Sequence, residues 1–230
     1  MSNILITGAN RGLGLEAVKQ YLALGFNVFA CCRNPKNAYE LLNLASKTDH
    51  KITIYQLDLM NEQDITTMSN LIDGKHIDIL MNVAGIWGSQ LQDLGNLSTE
   101  EWVQAFRVNT IAPIKLVEAF QKNILLGNKK IIANISSIMG SIELVEGGDY
   151  IYRSSKAALN CATKTLARDL ASKNITVIAL HPGWVKTDMG GYNAPINPQE
   201  SISGILKVLD SITIKDTGSF FDYKGDIIAW

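Results

Sequence analysis

Two side chains four residues apart, Tyr152 and Lys156, have the types and the spacing that proton transfer requires. The stretch that holds them reads as helical, and residues i and i+4 share one face of a helix, so the ammonium group can approach the phenol. A neighbouring cation stabilises the phenolate and moves the pKa of the phenol from about 10 toward the range of efficient general acid–base transfer. The spacing therefore predicts a general acid–base pair, and an inert pair on a helix surface is the alternative.

A second chemical feature is the glycine-rich turn Thr7–Gly14, which lies between the first apolar run and a helical stretch that stops at Gly25. Glycines in a strand-to-helix turn permit positive φ angles and let a ligand approach the backbone closely. The N-terminus of the following helix offers free N–H groups and a partial positive charge. The turn therefore predicts a pyrophosphate site for a dinucleotide, with a turn that merely packs tightly as the alternative.

The residues after the second strand distinguish between two dinucleotides. A site for NAD usually has Asp or Glu at the end of this strand to bind the ribose 2′-hydroxyl, but the segment Val28–Asn34 contains no acid. Arg33 at the strand end and Arg11 in the glycine turn could instead bind a 2′-phosphate, which a carboxylate would repel. The pattern predicts NADP as the cofactor, with a solvated loop position for Arg33 as the alternative.

A scaffold of alternating strands and helices must bring these separated segments together. Short β-branched runs alternate with amphipathic stretches, and the runs are continuously apolar, as in strands that helices cover on both faces. The sequence therefore predicts an α/β fold, a single domain over residues 1–230 with one doubly wound, Rossmann-type parallel sheet and helices on both faces. The predicted strands are Ile4–Thr7, Val28–Cys32, Ile52–Leu57, Ile77–Met81, Ile131–Ile135 and Ile175–Leu180, with a weaker one near Phe220 and Phe221.

Capping residues and one proline predict helix boundaries. Asn61 and Ser98 each precede an acidic residue by three positions, the pattern of a helix N-terminus. Pro113 falls inside the helical stretch Thr99–Leu126, where it predicts a kink or a junction of two helices.

Composition excludes several classes of protein. The chain has 21 Lys+Arg against 22 Asp+Glu, so no global charge attracts nucleic acid or anionic lipid. No stretch approaches the roughly 18 continuous apolar residues of a membrane span, and no signal peptide precedes the first strand. The three cysteines and three histidines have neither a disulfide framework nor metal-ligand spacing. The expectation is a cytoplasmic protein that binds no nucleic acid, no membrane and no metal.

Taken in chain order, the motifs resemble those of the short-chain dehydrogenase/reductase family over nearly the whole length. Within that family, the strand end Cys32–Pro35 and the segment after the sixth strand are most similar to NADP-dependent carbonyl reductases of the sniffer and C-factor type. The motifs are TGANRGLG at Thr7–Gly14, Asp58 after the third strand, NVAG at Asn82–Gly85, Asn109 in the long helical stretch, ISS at Ile135–Ser137, YRSSK at Tyr152–Lys156 and HPGWVKTDMGG at His181–Gly191.

The resemblance implies an active site of four side chains. Tyr152 would donate a proton to the substrate carbonyl oxygen, while Lys156 would lower its pKa and hold the nicotinamide ribose. Ser137 would hydrogen-bond to the same carbonyl oxygen, although strand geometry alone also allows Ser136. Asn109 would position a water that connects Lys156 with solvent.

The resemblance also implies contacts along the cofactor. Asp58 would contact the adenine and Thr187 would hold the nicotinamide carboxamide. Purely structural roles for Asp58, Asn82 and Asn109 are the alternative. The implied cofactor-binding residues are Gly8, Asn10, Arg11, Gly12, Leu13, Gly14, Arg33, Asp58, Leu59, Asn82, Ala84, Gly85, Tyr152, Lys156, Pro182, Gly183, Val185 and Thr187.

The predicted function is hydride transfer between NADP(H) and a carbonyl or alcohol, with an aldehyde, ketone or quinone as substrate. An NADPH-binding signalling or regulatory protein with little or no turnover is the alternative, because a fold alone does not fix a function. Few residues separate Met189 from the helical stretch Glu200–Asp210, so an open site is expected. Relatives commonly dimerise through helices around Asn109 and Tyr152, which makes a homodimer or homotetramer the expected assembly.

Apolar side chains near the nicotinamide are expected to select the substrate, because most ligand pockets are apolar with a few polar anchors. The candidates by position are Trp87, Ile138, Met139, Leu144, Tyr150, Trp184, Met189 and Tyr192.

Overall fold

The computed structural model describes residues 1–230 and contains one seven-stranded sheet in the order β3-β2-β1-β4-β5-β6-β7. Every neighbouring pair of strands is parallel. The strands are β1 (Asn3–Thr7), β2 (Asn27–Cys32), β3 (Ile52–Gln56), β4 (Ile79–Asn82), β5 (Ile131–Ile135), β6 (Thr176–His181) and β7 (Phe220–Asp222). The helices are α1 (Gly12–Ala23), α2 (Tyr39–Ser46), α3 (Glu62–Leu71), α4 (Thr99–Phe106), α5 (Ala112–Leu126), α6 (Tyr150–Leu170) and α7 (Pro198–Ser211).

Helices cover both faces of the sheet. One layer contains α1, α2 and α7, whose apolar side chains pack with Ile4 and Ile6 of β1. The other layer contains α3, α5 and α6, which pack with Leu5 of the same strand. Because successive strand residues point to opposite faces, a strand covered on both sides must be apolar throughout. The predicted doubly wound α/β fold is confirmed.

The strand boundaries differ from the predicted ones by few residues. β4 shows the clearest difference, since the sequence predicts a start at Ile77 and the strand begins at Ile79. The N–H group of Ile77 donates to the carbonyl of Asn123 in α5 (2.9 Å) instead of to a strand. Because Ile77 bonds to the end of a helix, the strand begins two residues later than the apolar run. The apolar pattern alone does not indicate this bond.

The long helical stretch changes its hydrogen-bond pattern just before Pro113. The helix α4 ends at Phe106, a π-helical turn spans Arg107–Ile111, and α5 begins at Ala112 with Pro113 in its first turn. The backbone stays helical through this turn, since Ala112 N–H donates to the Arg107 carbonyl, and Pro113, which has no N–H group, follows where the π pattern ends. At the start of α4, the Ser98 hydroxyl accepts a hydrogen bond from Glu101 N–H (3.3 Å), as the capping pattern predicts.

The sheet order places a topological switch at the centre of the molecule. The strand β1 pairs with β2 on one side and with β4 on the other, so the segments that follow β1 and β4 diverge toward opposite faces. Ligands of open α/β sheets bind in the crevice beyond the carboxyl ends of the strands at such a point. None of the helices is long and apolar enough to cross a membrane.

Candidate active site

A cleft of about 500 Å³ opens at the carboxyl edge of the sheet, over the switch point between β1 and β4. The glycine turn forms one wall, and the first turns of α6 form the opposite wall. Most of the residues predicted from the sequence line it, namely Gly8, Asn10, Arg11, Gly12, Leu13, Gly14, Arg33, Asp58, Leu59, Ala84, Gly85, Tyr152, Lys156, Pro182 and Thr187.

The other predicted residues lie behind the walls of the cleft. Asn82 is buried at the end of β4 and donates to the side-chain oxygen of Asn134 (2.8 Å), which fixes the end of β5 to that of β4. Gly183 has a φ of +83° and packs against Ile196 and Tyr223. The remaining three predicted residues are Val185, Asn109 and Ser137, which are also buried and do not line the cleft. All five residues support its walls.

The glycine turn leaves no room for side chains at its centre. Gly8 and Gly12 have φ angles of +65° and +53°, a region that favours glycine. A Cβ atom on Gly14 would overlap the carbonyl oxygen of Gly8, so the turn and the first turn of α1 can approach each other only with glycine there. The first N–H groups of α1 have no intrahelical acceptor, and the wall therefore suits a pyrophosphate.

Exposed charges surround the end of the cleft that the glycine turn Thr7–Gly14 forms. We call this end the phosphate end, and we call the end at Tyr152 and Lys156 the reactive end. Arg33 is exposed at its rim, where it has no carboxylate partner. The Arg11 guanidinium instead donates to the carboxylate of Asp188 (2.6 Å), and both side chains are largely exposed, at 71% and 75%. This ion pair joins the glycine turn to the segment after β6. The motif His181–Gly191 contains Asp188, but its pairing with Arg11 could not be read from the sequence, because the two partners are 177 positions apart.

Asp58 lines the cleft from the segment between β3 and α3. Its carboxylate accepts a hydrogen bond from Met60 N–H (3.0 Å), and its own N–H donates to the carboxylate of Asp64 (2.9 Å). These bonds hold the loop before α3 in a fixed turn. Asp58 thus has the structural role that sequence reasoning left open, and its side chain also lines the cleft.

Tyr152 lies on α6 at the opposite end of the cleft and is buried. Its phenol ring stacks on the indole of Trp87, with 4.5 Å between ring centroids and 26° between planes. Burial raises the pKa of Tyr152 to about 12, and the hydroxyl of Ser137 acts in the opposite direction by hydrogen bonding. The phenol is therefore protonated at neutral pH in this structure.

Lys156 lies one turn further along α6, also buried. Its Nζ donates to the carbonyl oxygen of Ile135 at the end of β5 (2.8 Å) and lies 5.8 Å from the centroid of the Tyr152 ring. Burial lowers the pKa of Lys156 to about 8. The expected lowering of the Tyr152 pKa by Lys156 is not found, because burial sets the direction of the shift and only the Ser137 hydroxyl opposes it.

Asn109 occupies the centre of the π-helical turn and is fully buried. Its Oδ1 accepts from Ile86 N–H (2.8 Å), while its Nδ2 donates to the Ile86 carbonyl (2.8 Å) and to the Ser155 hydroxyl (2.9 Å). The π turn thus fixes the loop after β4 to α6. A Cβ on Gly85 would lie 3.2 Å from Oδ1 of Asn109 and 3.5 Å from Nζ of Lys156, so these two side chains converge beside Gly85.

The two serines after β5 have different hydrogen bonds. Ser136 lines the cleft, but its hydroxyl donates to Oδ1 of Asn160 (2.6 Å), so its proton is already engaged. The only well-formed hydrogen bond of the Ser137 oxygen is the one that it accepts from Met139 N–H (3.2 Å). Its proton is therefore available to a ligand, and its oxygen is near enough to influence the Tyr152 phenol.

Of the eight apolar residues predicted to select the substrate, only Met189 lines the cleft. Most of the predicted substrate-selecting residues are exposed, and Met139 is half-buried. Trp87 is the exception, because it packs on Tyr152 as described above. The exposed ones are Ile138, Leu144, Tyr150, Trp184, Met189 and Tyr192.

Comparison with known proteins adds an independent line of evidence. The family model of short chain dehydrogenases matches residues 2–196. Among curated proteins, the C-signal of Myxococcus xanthus is 36% identical over 155 residues, which are 67% of this chain and 93% of that protein.

Two solved structures have the same fold over their full length. The carbonyl reductase Sniffer of D. melanogaster has a TM-score of 0.94 and 37% identity, with 100% of both chains covered. The NADPH-bound carbonyl reductase from chicken fatty liver has a TM-score of 0.92 and 36% identity, covering 100% of this chain and 99% of that one. The resemblance stated from the motifs is confirmed, and the dinucleotide bound by the chicken protein is of the predicted type.

Proposed function

Since the chain belongs to the short-chain dehydrogenase family, we propose that it reduces the carbonyl group of an aldehyde, ketone or quinone with NADPH. One observation carries the proposal: the buried phenol of Tyr152 lies at one end of a cleft whose other end is a glycine turn flanked by Arg33, and the Ser137 hydroxyl behind the cleft wall is near enough to act on that phenol. A proton donor and a dinucleotide site in a single cleft are what carbonyl reduction needs.

The shape and charge of the cleft fit NADP(H). The N–H groups at the start of α1 would bind the pyrophosphate, and Arg33 would bind the 2′-phosphate. Lys156 would hold the nicotinamide ribose, and Thr187 would hold the carboxamide. The cofactor supplies the hydride when bound, and the protein supplies orientation and a proton.

The phenol of Tyr152 holds the proton that a general acid must donate, although its raised pKa makes it a weaker acid than an unperturbed tyrosine. With a pKa raised to about 12, the phenol keeps its proton across the neutral range and can donate it to the oxygen of a reduced carbonyl. The hydroxyl of Ser137 would donate a hydrogen bond to the same oxygen, which stabilises the charge that develops on it. Of the two serines, Ser137 is proposed for this role because the Ser136 hydroxyl already donates to Asn160.

Lys156 would restore the proton and stabilise the phenolate after transfer. Its pKa of about 8 leaves it mostly charged at pH 7, and the charge becomes more effective when a phenolate forms beside it in a buried site. Asn109 holds the loop and helix around Lys156 through Ile86 and Ser155, so its proposed contribution is to fix the position of this end.

The decisive experiment measures NADPH oxidation against a panel of aldehydes, ketones and quinones, together with NADPH binding by fluorescence. We expect Tyr152→Phe to lose about 10²- to 10⁴-fold in kcat, the range typical of a general acid, while NADPH binding is retained. Tyr39→Phe is the matched control, because this tyrosine is exposed and is not among the residues that line the cleft. Full activity of Tyr152→Phe would contradict the proposal.

A second candidate function is an NADPH-binding signalling or regulatory protein. The similarity to a protein named C-signal favours it, and the phosphate end of the cleft would serve both functions equally. The same experiment separates them, because tight NADPH binding without turnover of any carbonyl would support the regulatory function.

The proposed assembly is a homodimer or homotetramer. An apolar groove on the outer face of α4 and the π turn supports it, since Val103 and Ile111 are about half exposed there. Analytical ultracentrifugation of the wild type and of Val103→Glu tests this assembly, and a monomeric wild type would contradict it.

A further inference from the structure

Gln92 is a buried amide in the irregular segment between β4 and α4, and no motif draws attention to it. Its side chain is 3% exposed, and each of its polar atoms has a partner. Nε2 donates to the carbonyls of Trp87 and Ser89 (2.9 Å each), and Oε1 accepts from Tyr152 N–H (2.8 Å). A buried amide is stable only when it is satisfied in this way, so its position in the structure is narrowly defined.

The helix that carries Tyr152 lacks a cap of its own. Asp149 precedes α6 with φ +51° and ψ +37°, in the left-handed region, and makes no side-chain capping bond. Gln92 supplies two acceptors for the N–H groups of the first turn. Its backbone carbonyl accepts from Tyr150 N–H (3.3 Å), and its side chain accepts from Tyr152 N–H. The first turn of α6 is thus capped by a residue 60 positions earlier in the sequence.

The side-chain amide of Gln92 also fixes the loop against which the phenol ring of Tyr152 packs. By holding the Trp87 carbonyl, it fixes the residue whose indole stacks on that ring at 4.5 Å. The intervening Gly88 has a φ of +93°, and a Cβ there would approach Cγ2 of Ile151 to 2.7 Å. The loop therefore passes against the first turn of α6 with no room for adjustment.

We propose that Gln92 is a positioning residue for Tyr152, since one side chain ties the backbone N–H of Tyr152 to the loop whose Trp87 stacks on its phenol. This inference rests on the proposed function, in which Tyr152 donates the proton. Gln92 makes no hydrogen bond to the phenol oxygen and is not among the residues that line the cleft. It acts through the placement of Tyr152, and misplacement by about 1 Å can cost on the order of 100-fold in rate.

The test compares Gln92→Met, which keeps the size of the side chain and removes its hydrogen bonds, with Gln92→Glu, which keeps an acceptor for Tyr152 N–H. We expect kcat of Gln92→Met to fall about 10- to 100-fold, with NADPH affinity changed less than about twofold because the phosphate end is untouched. Gln92→Glu should recover part of that loss. Equal kcat for Gln92→Met and the wild type would overturn the proposal.

Asn123→Leu supplies a control for general loss of stability. Asn123 is also a buried amide, and its Nδ2 donates to the carbonyls of Ile72 and Lys75 (2.8 and 2.7 Å), far from the cleft. This variant should lower the midpoint of thermal unfolding while leaving kcat of the folded protein unchanged. A loss of kcat in Asn123→Leu as large as that in Gln92→Met would assign both losses to stability and overturn the positioning role.

Amide hydrogen exchange of the peptide that contains Tyr150 and Tyr152 gives a readout without turnover. Protection there should fall in Gln92→Met and persist in Asn123→Leu. If the wild type reduced no carbonyl, the proposed function would fail, and the exchange data would still decide whether Gln92 holds Tyr152. Unchanged protection in Gln92→Met would overturn this inference alone.

Discussion

The two ends of the cleft are built in different ways. The phosphate end consists of backbone N–H groups, close-packed glycines and exposed cations, of which Arg11 forms an ion pair in open solvent. The reactive end consists of buried side chains, and Lys156 and Asn109 are each tied to backbone carbonyls of a neighbouring segment. In the proposed function, one end would recognise the dinucleotide by charge and shape, whereas the other would hold the reacting groups in place.

This difference determines how each end should respond to substitution. Exposed charges interact in a high dielectric and are screened by salt, so each contributes modestly. Buried polar groups have few alternative partners, and removing one leaves others unpaired. Changes at the reactive end should therefore lower turnover far more than they weaken NADPH binding, while changes of charge at the phosphate end should give graded, salt-dependent effects on binding.

Lys156→Met should give the largest effect. We expect kcat to fall by about 100-fold or more, as for other groups that take part in proton transfer, with NADPH still bound. Stability provides a second readout, because the pKa of Lys156 is about 8 in the folded protein against an ordinary value of 10.5. Between these values the unfolded chain binds more protons, so the wild type gains stability as the pH rises, by up to about 1.4 kcal/mol per pH unit.

The free energy of unfolding of the wild type should therefore rise between pH 8 and pH 10, and that of Lys156→Met should not rise with it. Denaturant unfolding at several pH values measures the difference. In Lys207→Met, at an exposed position on α7, the free energy of unfolding should rise as it does in the wild type. A pH-independent difference would mean that Lys156 is not held in a costly buried position.

Gly14→Ala tests the shape of the phosphate end. The added Cβ would overlap the Gly8 carbonyl oxygen. Such overpacking costs about 1–3 kcal/mol. If this cost destabilises the conformation of the turn that binds NADPH, the affinity for NADPH falls roughly 5- to 150-fold. Gly147→Ala is the matched control, because a Cβ there meets nothing within 4 Å. Calorimetric titration with NADPH measures both, and equal affinities would mean that the turn can open without cost.

Arg33→Asp tests the charge of the same end. A hydrogen bond to a charged group contributes about 1.5–3 kcal/mol, so NADPH binding should weaken about 10- to 100-fold relative to NADH. The salt dependence of NADPH binding should also become shallower. Arg168→Asp, at an exposed position on α6, should leave the ratio of the two affinities unchanged. If Arg33→Asp preserved the preference for NADPH, another group would bind the 2′-phosphate.

Asp188→Asn should change NADPH affinity least, and it should raise the affinity where the other substitutions lower it. Removing the carboxylate frees the Arg11 guanidinium from its ion pair (2.6 Å), so NADPH binding should tighten about two- to fivefold at low salt, the range of an exposed ion pair. The gain should disappear at high salt. Asp210→Asn removes a comparable exposed pair with Lys129, remote from the cleft, and should change nothing. Weaker NADPH binding in Asp188→Asn would mean that the ion pair organises the site.

Features encoded by local spacing could be predicted from the sequence. The strands follow from apolar runs, the glycine turn from its place between strand and helix, and the shared face of Tyr152 and Lys156 from their separation by four residues. The junction at Pro113 also follows from local chemistry, since proline is compatible only with the first turn of a helix.

Features that depend on contacts across the chain could not be predicted. Gln92 and Asp188 gain their roles only when segments 60 and 177 positions apart meet. The direction of the pKa shift of Tyr152 was predicted incorrectly, because spacing reveals the nearby ammonium group of Lys156 but not the burial beneath Trp87. The boundary of β4 depends likewise on a bond from Ile77 to α5.

The position of β1 between β2 and β4 has a consequence for folding. The glycine turn follows β1, whereas the opposite wall follows β5 and β6, so no fragment that lacks either part of the chain contains the cleft. Parallel pairings between distant segments form slowly, because loop closure must precede them. The dinucleotide should therefore recognise only the fully assembled chain and, at about 100 times its dissociation constant, should stabilise the whole molecule by roughly 2.7 kcal/mol through mass action.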